Sequence, residues 1–336
     1  DRDVGKTVLA LAGQAETCHR YGEGFSYDFY DAENAFAFDV AKLWGKKFAQ
    51  LLKVTPIPEN SNWSIEGLAL KIVASMKDGK PRFIVIDSMD RLRPASEYDE
   101  ETAKSIAAGK SGFATARAKA NKFFFRTVLP RVAETGSFLI YLSQATCNMG
   151  FGAQFQPKVR GGGTSLGYNA HIELWLSQGP SIIISKVKVG HWVIAKTERS
   201  KDNGKKRELW FPILPAYGID DTRANIHWLV EEGMILPWAP EPKKTPAKGK
   251  VYAVADTAAK KQDEPDEDDE GKKKRKVLTG YDLTPIGIDY KGKDPFLFVE
   301  ESGLVAQVIA AVKAKWDANE QLLIDKTFGG RKSRYE

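Results

Sequence analysis

Asp1-Arg2-Asp3-Val4-Gly5-Lys6-Thr7 ends in the residue order that lets a chain hold a triphosphate. In the pattern G-x-x-x-x-G-K-[ST], main-chain amides of a tight loop and the start of the next helix surround phosphate oxygens. The lysine reaches the β- and γ-phosphates and the hydroxyl faces Mg²⁺. Asp3, Val4, Gly5, Lys6, Thr7 and Val8 would form that loop, with the pattern's first glycine expected one residue before Asp1 and a strand expected before it. Three more polar residues follow apolar runs. Asp87 ends Phe83-Ile84-Val85-Ile86 and suits a carboxylate that, with Thr7, orders a magnesium hydration shell. Glu33, in Tyr30-Asp31-Ala32-Glu33-Asn34, suits a base for water attacking a γ-phosphate, while Asp31 reads as structural. Gln144, closing Phe138-Leu139-Ile140-Tyr141-Leu142-Ser143, offers an amide that a γ-phosphate can engage only in the triphosphate state.

Such residues need strand ends to hold them. Val8, Leu9, Leu11, Ala12 and Ala15 have helical spacing and predict a helix directly after the loop, and Phe25 to Tyr30 predicts a strand. A helix over about 61–76 leads into the Phe83–Asp87 run, whose consecutive apolar residues suit a strand covered on both faces. A long helix over about 111–134 precedes the strand that ends at Gln144. Alternation of strands and helices implies right-handed crossovers and a twisted, mostly parallel sheet. From Ile172 the rhythm shortens: Ile172 to Leu176, Ser181 to Val189, Trp192 to Thr197 and Glu208 to Ile213 read as strands extending that sheet in antiparallel fashion. A helix over about 223–233 follows.

The stretch 145–163 holds Gly150, Gly152 and Gly161-Gly162-Gly163, too flexible for a core element and too long for a plain connection. Its Phe151, Phe155, Lys158 and Arg160 are the mixed aromatic and basic groups that follow a single nucleic-acid strand. Lys119, Lys122 and Arg126 share one face of the long helix, either as a solvated stripe or as a contact for phosphates or a second subunit. Lys196, Arg199 and Lys201 end a strand, either as an exposed hairpin or as cations reaching a γ-phosphate held by an adjoining copy.

Composition sets the outer limits. The 336 residues are 42% hydrophobic and 11% aromatic, which excludes a wholly disordered chain. A net charge of +6 suits a polyanionic partner without requiring one. The two cysteines, Cys18 and Cys147, have no metal-ligand spacing with the histidines, which points to a reducing cytoplasm. No long apolar run or leader pattern is seen, so no membrane partner is expected. Three regions are predicted: a core over 1–236, a linker over 237–276 and a small α+β module over 277–336. The linker carries prolines, an acidic block from Asp263 to Glu270 and the basic Lys272–Lys276 run. That basic run reads as a solvated linker charge or as an import signal.

The order Gly-Lys-Thr, Tyr-Asp-Ala-Glu-Asn-Ala, Val-Ile-Asp-Ser-Met-Asp-Arg-Leu, Tyr-Leu-Ser-Gln and Gly161-Gly162-Gly163-Thr164 resembles the RecA recombinase family. Ala116-Arg117-Ala118-Lys119, Phe125 to Pro130, Glu198-Arg199-Ser200 and Gly218-Ile219-Asp220 are most similar to its T-even phage UvsX branch. The resemblance runs from residue 1 to about 236. It implies a P-loop RecA-like α/β core using ATP and Mg²⁺, active as a DNA-dependent ATPase. It further implies a helical filament on single-stranded DNA that pairs with duplex DNA, helped by single-strand-binding and mediator proteins, in a phage-infected host's cytoplasm.

Carried over by position, Lys6 and Thr7 hold triphosphate and metal, Glu33 is the base, Asp87 the metal-side carboxylate and Gln144 the γ-phosphate sensor. The DNA loop would be 145–163, with Thr146, Asn148, Gly150, Phe151, Gln154, Phe155, Lys158, Arg160, Gly161, Gly162, Gly163 and Thr164 touching DNA. A first DNA loop would lie near 94–112. Three departures accompany the likeness. Val40 stands where bacterial RecA stacks a tyrosine on adenine, leaving Phe36 or Phe38; Gln144 follows bacterial RecA where UvsX has histidine; and the N-terminal packing segment is not seen. A ring-forming replicative helicase and a non-hydrolysing DNA-binding filament protein are the alternative readings.

Overall fold

The computed structural model describes residues 4–99, 113–147, 158–160, 164–184, 186–201, 204–238 and 280–328. They divide into two compact units, Asp1–Asp221 and Thr222–Glu336. The helices are α1 (Lys6–Tyr21), α2 (Val40–Trp44), α3 (Lys46–Leu51), α4 (Ile65–Ser75), α5 (Phe113–Glu134), α6 (Thr164–Asn169), α7 (Asp221–Glu231), α8 (Pro295–Glu301) and α9 (Val305–Phe328).

In the first unit β1 (Ser26–Asp31), β2 (Leu52–Pro56), β3 (Arg82–Asp87) and β4 (Phe138–Tyr141) make one sheet in the order β2-β1-β3-β4, every pair parallel. Alternation along the strands divides their side chains between two cores. Tyr27 and Phe29 of β1 and Phe83 and Val85 of β3 join Ala10, Leu11, Ala15 and Cys18 of α1 and Phe48 of α3. Tyr30, Ile84 and Ile86 go to the other face, with Ile65, Leu68, Ala69 and Ile72 of α4 and Phe124, Phe125 and Val128 of α5. The result is a mixed α/β unit with helices on both faces of a four-stranded parallel sheet, an architecture compatible with a RecA-like core.

Local chemistry sets the helices. Ser64 caps α4 by accepting the Gly67 N–H at 3.1 Å. Gln14 of α1 is fully buried and donates to the carbonyls of Asp28 at 3.1 Å and Phe83 at 2.9 Å, so one amide joins the helix to two neighbouring strands. The stripe on α5 is exposed at Lys119, Lys122 and Arg126, opposite buried Ala120, Phe124 and Val128.

Strand β2 has no counterpart in the sequence reading. It is a five-residue edge strand, mostly exposed and ending at Pro56, and so carries neither an apolar run nor a clean alternation.

The later strands depart further from expectation. They are β7 (Ile172–Ile184), β8 (Val187–Ser200), β9 (Glu208–Leu214) and β10 (Gly218–Ile219), ordered β10-β9-β8-β7 and antiparallel. Among the described residues this is a sheet of its own rather than an extension of the first. Two glycine-containing gaps between the expected strands lie inside long strands. Gly179-Pro180 falls at a register shift on edge strand β7, where a missing N–H is tolerated. At Gly190 a side chain would run into the Ile213 carbonyl, so that glycine serves strand contact. Chain reversal occurs instead beside Lys186, at φ 66°. A short hairpin, β5 (Ala145–Cys147) with β6 (Lys158–Arg160), completes the unit's strands.

The second unit has a three-stranded sheet, β11 (Leu236–Pro237), β12 (Tyr281–Asp282) and β13 (Lys291–Gly292), in that order. Ile226, Leu229, Ile235, Tyr281, Leu283, Phe296, Val299 and Val308 form its core. Composition draws a boundary at 236, whereas the chain divides after Asp221 because α7 and β11 pack with residues beyond 280. Of the expected linker over 237–276, residues 239–276 lie outside the described residues, as do 277–279 of the expected small module. Among the described residues no single helix is long and apolar enough to cross a membrane. Pro295–Glu301 with Val305–Leu323 reach that length only as a pair bent by 115°.

Candidate functional site

Parallel strands point their carboxyl ends the same way, and the polar residues singled out from the sequence stand at those ends. Register sets Asp31 beside Asp87 and Ile86 beside Tyr141, so the three strands finish level. The main chain after β1 is tied to β3: the N–H groups of Ala32 and Glu33 donate to the Asp87 carbonyl at 2.6 and 3.2 Å. Asp31 is buried and accepts the Phe36 N–H at 3.0 Å, which shapes the turn that carries Glu33.

Two short networks meet there. The Thr7 hydroxyl donates to Asp87 Oδ2 at 2.6 Å. Glu33 Oε1 accepts from Ser88 Oγ at 2.8 Å and from Gln144 Nε2 at 3.0 Å. The Gln144 N–H donates to Asp90 Oδ2 at 2.5 Å. Thr7, Glu33, Asp87 and Gln144, scattered over the sequence, are thus brought together by α1, β1, β3 and β4. Lys6 belongs with them, since its charge acts on Asp87. The Asp87–Ser88 peptide is cis.

The approach to α1 is built for tight main chain. Gly5 has φ 93°, in the left-handed region, and a side chain there would run into Cδ1 of Ile213. Val4 is buried with Val193 and Ile213, and Val8 packs against them, so the second sheet supports the start of α1. Its N-cap residue, Gly5, has no side chain to accept from the first helical N–H groups. Asp3 lies outside the described residues.

Burial pushes the Asp87 carboxyl above its ordinary 3.8, and the neighbouring Glu33 and Asp31 push it the same way; the Thr7 hydroxyl and Lys6 oppose them. A paired hydroxyl and carboxylate in an acidic, half-buried hollow form a hard-oxygen set suited to a hydrated divalent cation. Among the described residues no group of three or more His, Cys, Asp or Glu could enclose a metal on its own.

A folded-state value above the unfolded one means that the native protein binds the proton more tightly, so stability from this group falls as pH rises between the two values. The destabilisation is complete above the raised value and vanishes below 3.8. Asp87→Asn should therefore raise the unfolding temperature of the ligand-free protein by ~2–4 °C near pH 7. The gain should shrink as pH falls toward 4, read by calorimetry in metal-free buffer. A gain that instead grew on acidification would contradict the burial account.

The remaining expected site residues lie elsewhere or outside the described residues. Arg199 donates to the Gly167 carbonyl at 2.7 Å and Lys201 to that of Tyr168 at 2.9 Å, so both serve the C-terminal carbonyls of α6. Lys196 is exposed on β8 between Trp175 and Glu208. Thr146, Lys158 and Arg160 belong to the β5–β6 hairpin and Thr164 opens α6. Asn148, Gly150, Phe151, Gln154, Phe155 and Gly161 to Gly163 lie outside the described residues, as does most of the expected first DNA loop. Phe36 and Phe38 stack edge-on to each other at 5.6 Å, between Phe29 and Trp44, and both are half-buried.

Two participants were not legible from spacing. Asp90 holds the main chain of Gln144, and Arg117 donates to the Met89 carbonyl at 2.9 Å. Only the apolar strand beside each polar residue gives a sequence signal, and neither of these ends one. Comparison with known protein families and with curated protein sequences finds no match to this chain.

Proposed function

We propose that this chain is an ATPase of the RecA recombinase type, which assembles on single-stranded DNA and uses ATP to pair and exchange strands. One observation carries the reading: Gln144 Nε2 rests on Glu33 Oε1, within the same set of strand ends where Thr7 meets Asp87. A carboxylate suited to activating water is held by an amide suited to reading a γ-phosphate. That is the arrangement a nucleotide-gated hydrolase needs.

In this reading the main chain from Val4 to Val8 and the Lys6 ammonium bind the phosphates. Thr7 and Asp87 would hold Mg²⁺, which supplies charge neutralisation for the transferring phosphoryl group. Glu33 orients water and takes its proton as the new O–P bond forms and the β–γ bridge breaks to leave ADP. Both acceptor positions of Glu33 Oε1 are filled, by Ser88 and Gln144, so that oxygen is engaged until Gln144 turns to a γ-phosphate oxygen. Gln144 leads directly into β5, the stem of the glycine-rich loop assigned to DNA, so the same turn would alter the loop's grip. Coupling runs both ways, so DNA should in turn favour ATP.

The test is ATP turnover by the full chain with and without single-stranded DNA, alongside electron microscopy with a slowly hydrolysed ATP analogue. Single-strand-stimulated hydrolysis and helical filaments are expected. Rings that unwind forked duplexes would favour the helicase alternative, and DNA-independent turnover would overturn the coupling.

A further inference from the structure

The geometry points to Asp90 as a positioning residue that holds the sensor Gln144 by its main chain, so that its side chain alone can move between Glu33 and a ligand. This rests on the ATPase reading above. Parallel pairing of β4 with β3 ends at Ile86 and Tyr141. Two more bonds continue it, the Leu142 N–H to the Ile86 carbonyl and the Met89 N–H to the Leu142 carbonyl, each 3.0 Å. The next ladder N–H belongs to Gln144, but β3 has by then entered the Met89–Arg91 3-10 turn. The acceptor is instead the Asp90 carboxylate, at 2.5 Å, so a side chain lengthens the ladder by one rung.

That rung fixes side-chain direction. A one-residue slip in a strand turns every side chain to the opposite face, and Gln144 would then leave Glu33. Arg117, donating to the Met89 carbonyl, anchors the turn to α5. Asp90 keeps its place at a cost, because its Oδ1 is buried with no hydrogen-bond partner among the described residues. Past the anchored amide the chain enters β5, so Asp90 is the fulcrum about which a turn of the Gln144 side chain is passed to the loop stem.

The experiment compares the full chain with Asp90→Ala and Asp90→Asn by two readouts: hydrogen exchange at the Gln144 amide, and ATP turnover with single-stranded DNA. In Asp90→Ala the Gln144 amide should exchange at least about 10-fold faster, as expected when a charge-assisted hydrogen bond is lost. DNA-stimulated kcat should fall about 10-fold while KM for ATP stays within about twofold, which separates positioning from nucleotide binding. Asp90→Asn, which keeps an acceptor oxygen, should restore most of both. Unchanged exchange in Asp90→Ala, or unchanged turnover where the parent chain hydrolyses ATP, overturns the proposal. Should the parent chain hydrolyse no ATP, the functional reading falls. The exchange data then decide the clamp alone, faster exchange supporting it and unchanged exchange overturning it.

Discussion

Glu33→Gln should lower ATP turnover by about 10²–10⁴-fold, the range a positioned general base supplies, while nucleotide still binds. The substitution keeps shape and an acceptor oxygen for Ser88 Oγ and Gln144 Nε2, which lie 2.8 and 3.0 Å from Glu33 Oε1. What it removes is the ability to take a proton from water. Fold and phosphate contacts should survive, so the unfolding temperature with ATP present should match or exceed that of the parent chain. Single-turnover hydrolysis measured beside equilibrium binding of a fluorescent ATP analogue reads the two effects separately. Loss of binding in step with turnover would place Glu33 in the nucleotide cradle rather than at the reacting water.

Arg82→Met should destabilise the first unit by about 3–5 kcal/mol, the usual result of leaving one partner of a buried ion pair alone. Arg82 is buried and reaches Asp28 at 3.1 Å, Asp78 at 2.7 Å and the Ser75 carbonyl at 2.5 Å. Asp28 is buried too, so its charge would lose its close cation. The nearby Tyr30 is buried as well, and its hydroxyl is pushed up to about 12 chiefly by that burial and then by Asp28. Against a total stability of roughly 5–15 kcal/mol, such a loss leaves the unit marginal. Urea unfolding should show an earlier midpoint, and adding Asp28→Leu should recover part of the loss because it removes the orphaned charge. Four residues of β3 lie between Arg82 and Asp87, about 16 Å of strand, so turnover per folded molecule should change little. Equal stability of Arg82→Met and the double variant would show that the Asp28 charge left alone is not what destabilises the unit.

Legibility in the sequence followed the physics of burial. β1 and β3 could be read because central parallel strands are buried along their length and end in polar tips at Asp31 and Asp87, and β4 because its Phe138–Tyr141 run is apolar although it lies at the edge of the described sheet. Edge strand β2 could not, since half of it faces solvent and proline ends it. Gly179-Pro180 and Gly190 look like chain reversals but sit within β7 and β8, because a glycine chosen for close strand contact and one chosen for a turn are the same letter. In the site, the residues at strand ends could be named in advance. The bond from Gln144 to Asp90 could not, as it joins a main-chain N–H to a side chain 54 residues away with no pattern of type or spacing.

Gln14 gives the hollow a mechanical property. Apolar faces can slide over one another at little cost, but an amide bonded to Asp28 and Phe83 carbonyls of adjacent strands cannot be displaced without stranding polar groups away from water. α1 is therefore riveted to the sheet seven residues beyond Thr7, and the N-terminal end of the helix travels with the strands as one body. Any stroke that ligand exchange produces must leave through the chain segments after Asp31, Asp87 and Gln144, not by pistoning of the helix.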